Sequence, residues 1–138
     1  MIGERPAVVL DTNIFVAALF NPRSDAARIL DAVRHGKLQM VWNEATRRET
    51  RRILEQIPPL AWNDVEELFR TDHRYEGKTA PSRFSQVPDP EDRKFAALAH
   101  AAGALLVSRD EHLLAEPQRM DILVLTPQET VAEGWIDR

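Results

Sequence analysis

The stretch Ala7-Val8-Val9-Leu10-Asp11-Thr12-Asn13 constrains this chain more than any other. Four apolar residues, two of them β-branched, make a run of the length and kind expected for a buried strand of a parallel sheet. An acid, a hydroxyl and an amide follow directly. Ile14, Phe15, Ala18 and Leu19 then recur at helical spacing. A strand, a polar junction and a helix place Asp11 at the carboxyl end of a strand, where open α/β sheets keep their chemistry. The same residue is equally explained as a helix cap, since Asp is a preferred N-cap.

The rest of the chain repeats that alternation. After Asn21-Pro22, Ser24 or Asp25 can cap a second helix with Ala26, Ile29, Leu30 and Val33 as its buried stripe and Gly36 at its end. Leu38 to Trp42 reads as a strand, and Asn43 caps a third helix running to about Ile57, stopped by Pro58-Pro59. Trp62, Val65, Leu68 and Phe69 mark a fourth helix, and residues 76–87 form a loop long enough to be mobile or functional. Asp89-Pro90-Glu91-Asp92 opens the next helix with a cap, a first-position proline and acids in the first turn. Phe95, Leu98, Ala99 and Ala102 line its apolar face, and Gly103 ends it. Ala104 to Val107 is a further buried strand, followed by Ser108-Arg109-Asp110 just as Asp11 follows the first. Leu113 and Leu114 suggest a helical turn, Ile122 to Leu125 a last strand, and Thr126-Pro127-Gln128-Glu129 a capping box, with Val131 and Trp135 packing inward.

These elements predict an α/β fold, a three-layer α/β/α arrangement around a parallel sheet of about four strands. The 138 residues suit one domain, 1–138. No apolar run is long enough to span a bilayer, and no basic segment precedes an apolar stretch at the N-terminus, so the expected compartment is the cytoplasm. Cysteine is absent, which excludes thiolate metal sites. His35, His73, His100 and His112 show no metal-ligand spacing and read as incidental. A net charge of −4 argues against a general polyanion-binding surface, though not against a local one.

Right-handed crossovers bring Asp11 and Asp110 above neighbouring strand ends if the first and third strands are adjacent. Asp92 starts a helix at the same edge. Each of the three has an alternative explanation as a cap or a favourable first-turn charge. Glu49 has no such explanation, because it lies inside its helix, where a surface salt bridge is the alternative. Two carboxylates about 5 Å apart repel by roughly 3 kcal/mol at an effective dielectric of about 20, so a cluster of four calls for cations. Oxygen-only ligands suit Mg²⁺ or Mn²⁺, which near a phosphodiester activate water and stabilise the leaving oxygen. Arg47, Arg48, Arg51 and Arg52 around Glu49 form a basic ridge, read either as RNA-binding or as a solvated helix face.

In order and context these motifs resemble PIN-domain proteins, the fold of VapC-type toxins of toxin–antitoxin pairs and related ribonucleases. The matching pieces are Val8 to Asn13, Glu49, Val87-Pro88-Asp89-Pro90-Glu91-Asp92 leading into Phe95 to Ala99, and Ala102 to Asp110. The resemblance spans nearly the whole chain. It implies a divalent-metal site of Asp11, Glu49, Asp92 and Asp110, supported by Thr12, Asn13 and Ser108. It also implies a metal-dependent endoribonuclease, often a homodimer and often blocked by a cognate antitoxin. Asn43 stands where a Ser or Thr is expected, and Asp89 competes with Asp92 for the third acid, Asp92 being favoured because it lies three residues before Phe95. The rivals are a non-catalytic α/β protein-binding module and a phosphatase of the haloacid dehalogenase type. The latter needs an acid two residues after the nucleophile, where this chain has Asn13.

Overall fold

The computed structural model describes residues 5–115 and 121–137. β1 (Ala7–Leu10), β2 (Gln39–Met40), β3 (Leu105–Val107) and β4 (Val124–Leu125) form one parallel sheet in the order β2-β1-β3-β4. The adjacency of β1 and β3, on which the meeting of Asp11 and Asp110 depends, is present. Its register sets Leu10 opposite Val107.

Alternation along these short strands divides the core in two. Val8 and Leu10 of β1, with Leu105 and Val107 of β3, face Ile14, Phe15, Ile29, Leu30 and Leu54 from α1 (Thr12–Phe20), α2 (Asp25–Arg34) and α3 (Glu44–Glu55). Val9 and Leu106 point the other way, onto Phe95 and Leu98 of α4 (Pro90–Ala102) and Leu113 of α5 (Glu111–Ala115). Because side chains alternate with a period of two, strands apolar at every position bury both faces, and three layers result.

The helices start where the sequence marks them. Asp11, Ser24, Asn43, Asp89 and Thr126 each cap a helix through the side chain, Thr126 for α6 (Pro127–Ala132). Asn43 forms a reciprocal capping box with Thr46, so its departure from Ser or Thr is accommodated. Gly103 closes α4 at φ 64°, a left-handed conformation that suits glycine.

Three sequence expectations need correction. The fourth helix is replaced by two 3₁₀ turns, Trp62–Asp64 and Glu66–Leu68. Ala61 offers no capping side chain, and Val65 opens to φ −128°, so Val65 and Leu68 both reach the core while Trp62 and Phe69 pack ring against ring at 5.0 Å. The 76–87 loop is anchored: Phe84 and Val87 are buried, and Arg93 donates to the carbonyls of Val87 and Ser85. The ladder of β2 is also shorter than the 38–42 run. The Val41 amide still donates to the Val8 carbonyl, and Trp42 then bridges Arg74 instead of β1.

Candidate active site

Asp11 ends β1 and caps α1, accepting from the Asn13 amide at 3.1 Å. It is 4% exposed. The Ser108 hydroxyl, one residue past β3, donates to its carboxylate, and the Asp110 amide donates to Ser108 Oγ at 3.0 Å. Ser108 thus ties the ends of the two central strands together. Burial pushes the Asp11 carboxyl up to about 6, held back by its hydrogen bonds from Ser108, Ile14 and Asn13 and raised further by the Asp110 charge. The cap reading and the site reading of Asp11 are therefore compatible, one carboxylate oxygen serving Asn13 and the other Ser108.

Asp92 lies in the first turn of α4, half-buried, while Asp89 is the exposed cap, accepting from the Glu91 amide at 2.9 Å. The Asp92 carboxyl is pushed up to about 7, first by desolvation, then by its hydrogen bond with Asp110 and the charges of Asp110, Asp89 and Asp11. The fold brings Asp11, Asp92 and Asp110 into one electrostatic group.

Glu49 stands apart from that group. It is buried in α3, with Arg52 at 2.5 Å and Lys94 of α4 at 3.5 Å. Lys94 also reaches Glu91 at 2.6 Å and holds that exposed carboxyl below its ordinary range. Among the described residues no three His, Asp or Glu side chains stand close enough to enclose an ion. The donor chemistry nonetheless fits a hard cation. Asp11 and Asp92 offer only oxygen donors, and burial and nearby charge raise their proton affinity, a condition that a divalent charge would relieve.

The supporting and basic residues divide likewise. Thr12 hydrogen-bonds Thr50 of α3 at 3.2 Å, linking the polar junction to the helix that carries Glu49. Asn13 faces an open groove beside the acids, together with Arg109. The four arginines of α3 have different neighbours. Arg47 and Arg51 lie over the Trp62 ring, at 5.2 and 5.9 Å, Arg51 also pairs with Glu55, Arg52 is turned to Glu49, and Arg48 is exposed. The side chain of His112 lies outside the described residues. Sequence reasoning passed over Lys94 and Arg109. Their signals were local: Lys94 is three residues from Glu91, and Arg109 sits between Ser108 and Asp110.

A parallel sheet with carboxylates gathered where its two central strands end defines an α/β protein of the strand-end acid type. The family model for the PIN domain matches residues 7–112, and the chain belongs to the PIN domain family. Two solved structures share the fold. FitAB bound to an IR36 DNA fragment is 15% identical over 87% of this chain and 94% of that one, with a TM-score of 0.58. FitAcB from Neisseria gonorrhoeae is 15% identical over 88% of this chain and 98% of that one, also at 0.58. A search of curated proteins finds no match. No described helix is long and apolar enough to cross a membrane.

Proposed function

We propose that the chain is a metal-dependent endoribonuclease, the toxin of a toxin–antitoxin pair, acting as one domain in the cytoplasm. The reading rests chiefly on one observation. In a PIN-family chain, Asp11, Asp92 and Asp110 lie near enough at the strand ends to act on one another's charge, and burial and that charge raise the proton affinity of Asp11 and Asp92.

In this reading Asp11, Asp92 and Asp110 would hold Mg²⁺ or Mn²⁺, with Glu49, now paired with Lys94 and Arg52, as a fourth acid. When bound, the ion would supply Lewis acidity toward a water and a phosphodiester. The remaining work falls to the chain. Ser108 fixes the Asp11 carboxylate and, through the Asp110 amide, orients the second strand end. The Thr12–Thr50 bond keeps α3, and so Glu49, beside α1. Asn13 and Arg109 flank the acids at the groove, where substrate enters.

A cognate antitoxin and a homodimer belong to the same proposal and rest on the resemblance to VapC-type toxins. A non-catalytic binding module is the weaker reading, because it gives no reason for carboxylates to be crowded at the strand ends. The test is cleavage of labelled single-stranded RNA by purified, antitoxin-free protein with Mg²⁺ or Mn²⁺. Activity should vanish in excess chelator and in Asp11→Asn, whose amide is a poorer metal ligand; equal cleavage in chelator would overturn the mechanism.

A further inference from the structure

The groove beside the acids has a volume of about 850 Å³, and none of Asp11, Glu49, Asp92 and Asp110 lines it. Its floor is one face of α1: Asn13, Val16, Ala17 and Phe20, spaced i, i+3, i+4 and i+7. At 1.5 Å per residue, Phe20 lies roughly 10 Å along the helix from Asn13. Arg109 and Gln128 also line the groove.

Phe20 is 57% exposed, and it and Leu123 are the exposed large hydrophobics among the described residues. A phenyl ring left in water on the floor of a polar-rimmed groove is an apolar platform in search of a flat partner. Arg109 is exposed, forms no ion pair with a described residue and lies between Ser108 and Asp110, so it brings positive charge to the mouth of the groove. Asn13 and Gln128 add exposed amides, groups that pair a donor with an acceptor and match base edges. Asp25, the acid of the groove, is paired with Arg28 at 3.5 Å, which offsets its repulsion of phosphate.

We propose that this groove is a nucleotide subsite: Phe20 stacks on the base of a residue flanking the cleaved phosphodiester, and Arg109 contacts the backbone phosphate. The proposal rests on the nuclease reading and adds to it where the strand runs. Continuity favours RNA over a protein occupant, since the groove begins at Asn13 and Arg109, each next to the acids in sequence and space.

The experiment is fluorescence anisotropy in chelator at low salt, with labelled oligoadenylate and an abasic ribose-phosphate chain of equal length. Stacking on an aromatic is worth roughly a five- to hundredfold change in affinity per base. Phe20→Ala should weaken oligoadenylate binding by a factor in that range and leave the abasic chain nearly unaffected. Phe20→Tyr, which keeps a ring, should retain wild-type affinity. Arg109→Gln should weaken both probes alike and flatten their salt dependence by about one counterion. Because Phe20 is exposed, its loss should not unfold the chain, and a thermal melt verifies this. If Phe20→Ala leaves oligoadenylate affinity unchanged, or weakens both probes equally, the subsite is refuted. Metal-dependent cleavage is scored separately, so binding without cleavage refutes the nuclease reading and leaves the subsite standing on its own result.

Discussion

The ammonium of Lys94 lies 3.5 Å from the carboxylate of Glu49, so Glu49, the proposed fourth acid, already has a cation supplied by the chain itself. The pair joins α3 to α4, with Lys94 shared by Glu91 and Glu49 shared by Arg52. If Glu49 belongs to the metal site, this internal cation competes with the ion. Lys94→Gln should then tighten Mn²⁺ binding by roughly two- to fivefold, the scale of one partly exposed ion pair. Calorimetric titration measures it. A weakened affinity would instead make Lys94 an organiser of the site and remove the competition.

The exposed cap and the half-buried acid of α4 should separate cleanly. Asn caps about as well as Asp, so Asp89→Asn should keep most cleavage activity. Asp92→Asn should abolish it while the thermal melt remains cooperative. The opposite pattern would move the third acid one turn earlier, to Asp89.

Arg48 is the exposed arginine of α3 that neither Trp62 nor an acid engages among the described contacts. Arg48→Gln should lower RNA affinity and reduce its salt slope by about one, with little effect on stability. Arg47→Gln should instead cost stability through its lost packing on Trp62, on the order of 0.5–1 kcal/mol. An unchanged salt slope in Arg48→Gln would return that face of α3 to plain solvation.

Much of this architecture is written in local signals. The apolar run before Asp11, the Asp89-Pro90 start and the Thr126 to Glu129 box each act within four residues, and each appears where the sequence puts it. What was not legible depends on distant partners. The 62–69 segment has helical spacing, but its shape is set by Trp62 packing on Phe69 and by the Trp62 indole donating to Glu66 at 2.5 Å. The neighbours of the arginines were not legible either: Trp62 lies under two of them and Glu49 pairs with a third. Nor could spacing on one helix reveal that Lys94, from another, occupies Glu49.

Acidity should stabilise the metal-free protein. The carboxyls of Asp11 and Asp92 rise from 3.8 in the unfolded chain to about 6 and about 7 in the native state. Between those limits the native state holds protons that the unfolded chain has lost, so stability falls as pH rises through roughly 4 to 7. Each unit is worth at most roughly 1.4 kcal/mol. Relaxation of the site and the partial exposure of Asp92 reduce this, leaving a gain on the order of 1–2 kcal/mol from pH 7.5 to pH 5. Denaturant melts in chelator check it, and Asp11→Asn should show a smaller change. Stability that rises with pH across this window would contradict the raised proton affinities.

Removing charge at Asp110 provides the sharpest distinction between a carboxylate cluster and unrelated helix ends. Its charge acts on Asp92 and on Asp11, in both cases raising proton affinity. In chelator at pH 7, Asp110→Asn should therefore relieve repulsion and stabilise the protein by something on the order of 1 kcal/mol, well under the bare estimate because water and proton uptake relax the site. Its backbone contacts, the amide on Ser108 Oγ and the carbonyl accepting from Leu113 and Leu114, do not depend on the carboxylate. If Asp110 served only the start of α5, losing its charge would be neutral or slightly destabilising. Mn²⁺ reverses the order: at ten times its dissociation constant it adds roughly 1.4 kcal/mol to the wild type and less to the variant, which binds it more weakly. Melts of both proteins, in chelator and in Mn²⁺, decide the matter. A variant that is destabilised in chelator and responds to Mn²⁺ as the wild type does would remove Asp110 from the metal site and leave Asp11 and Asp92 too few to hold the ion.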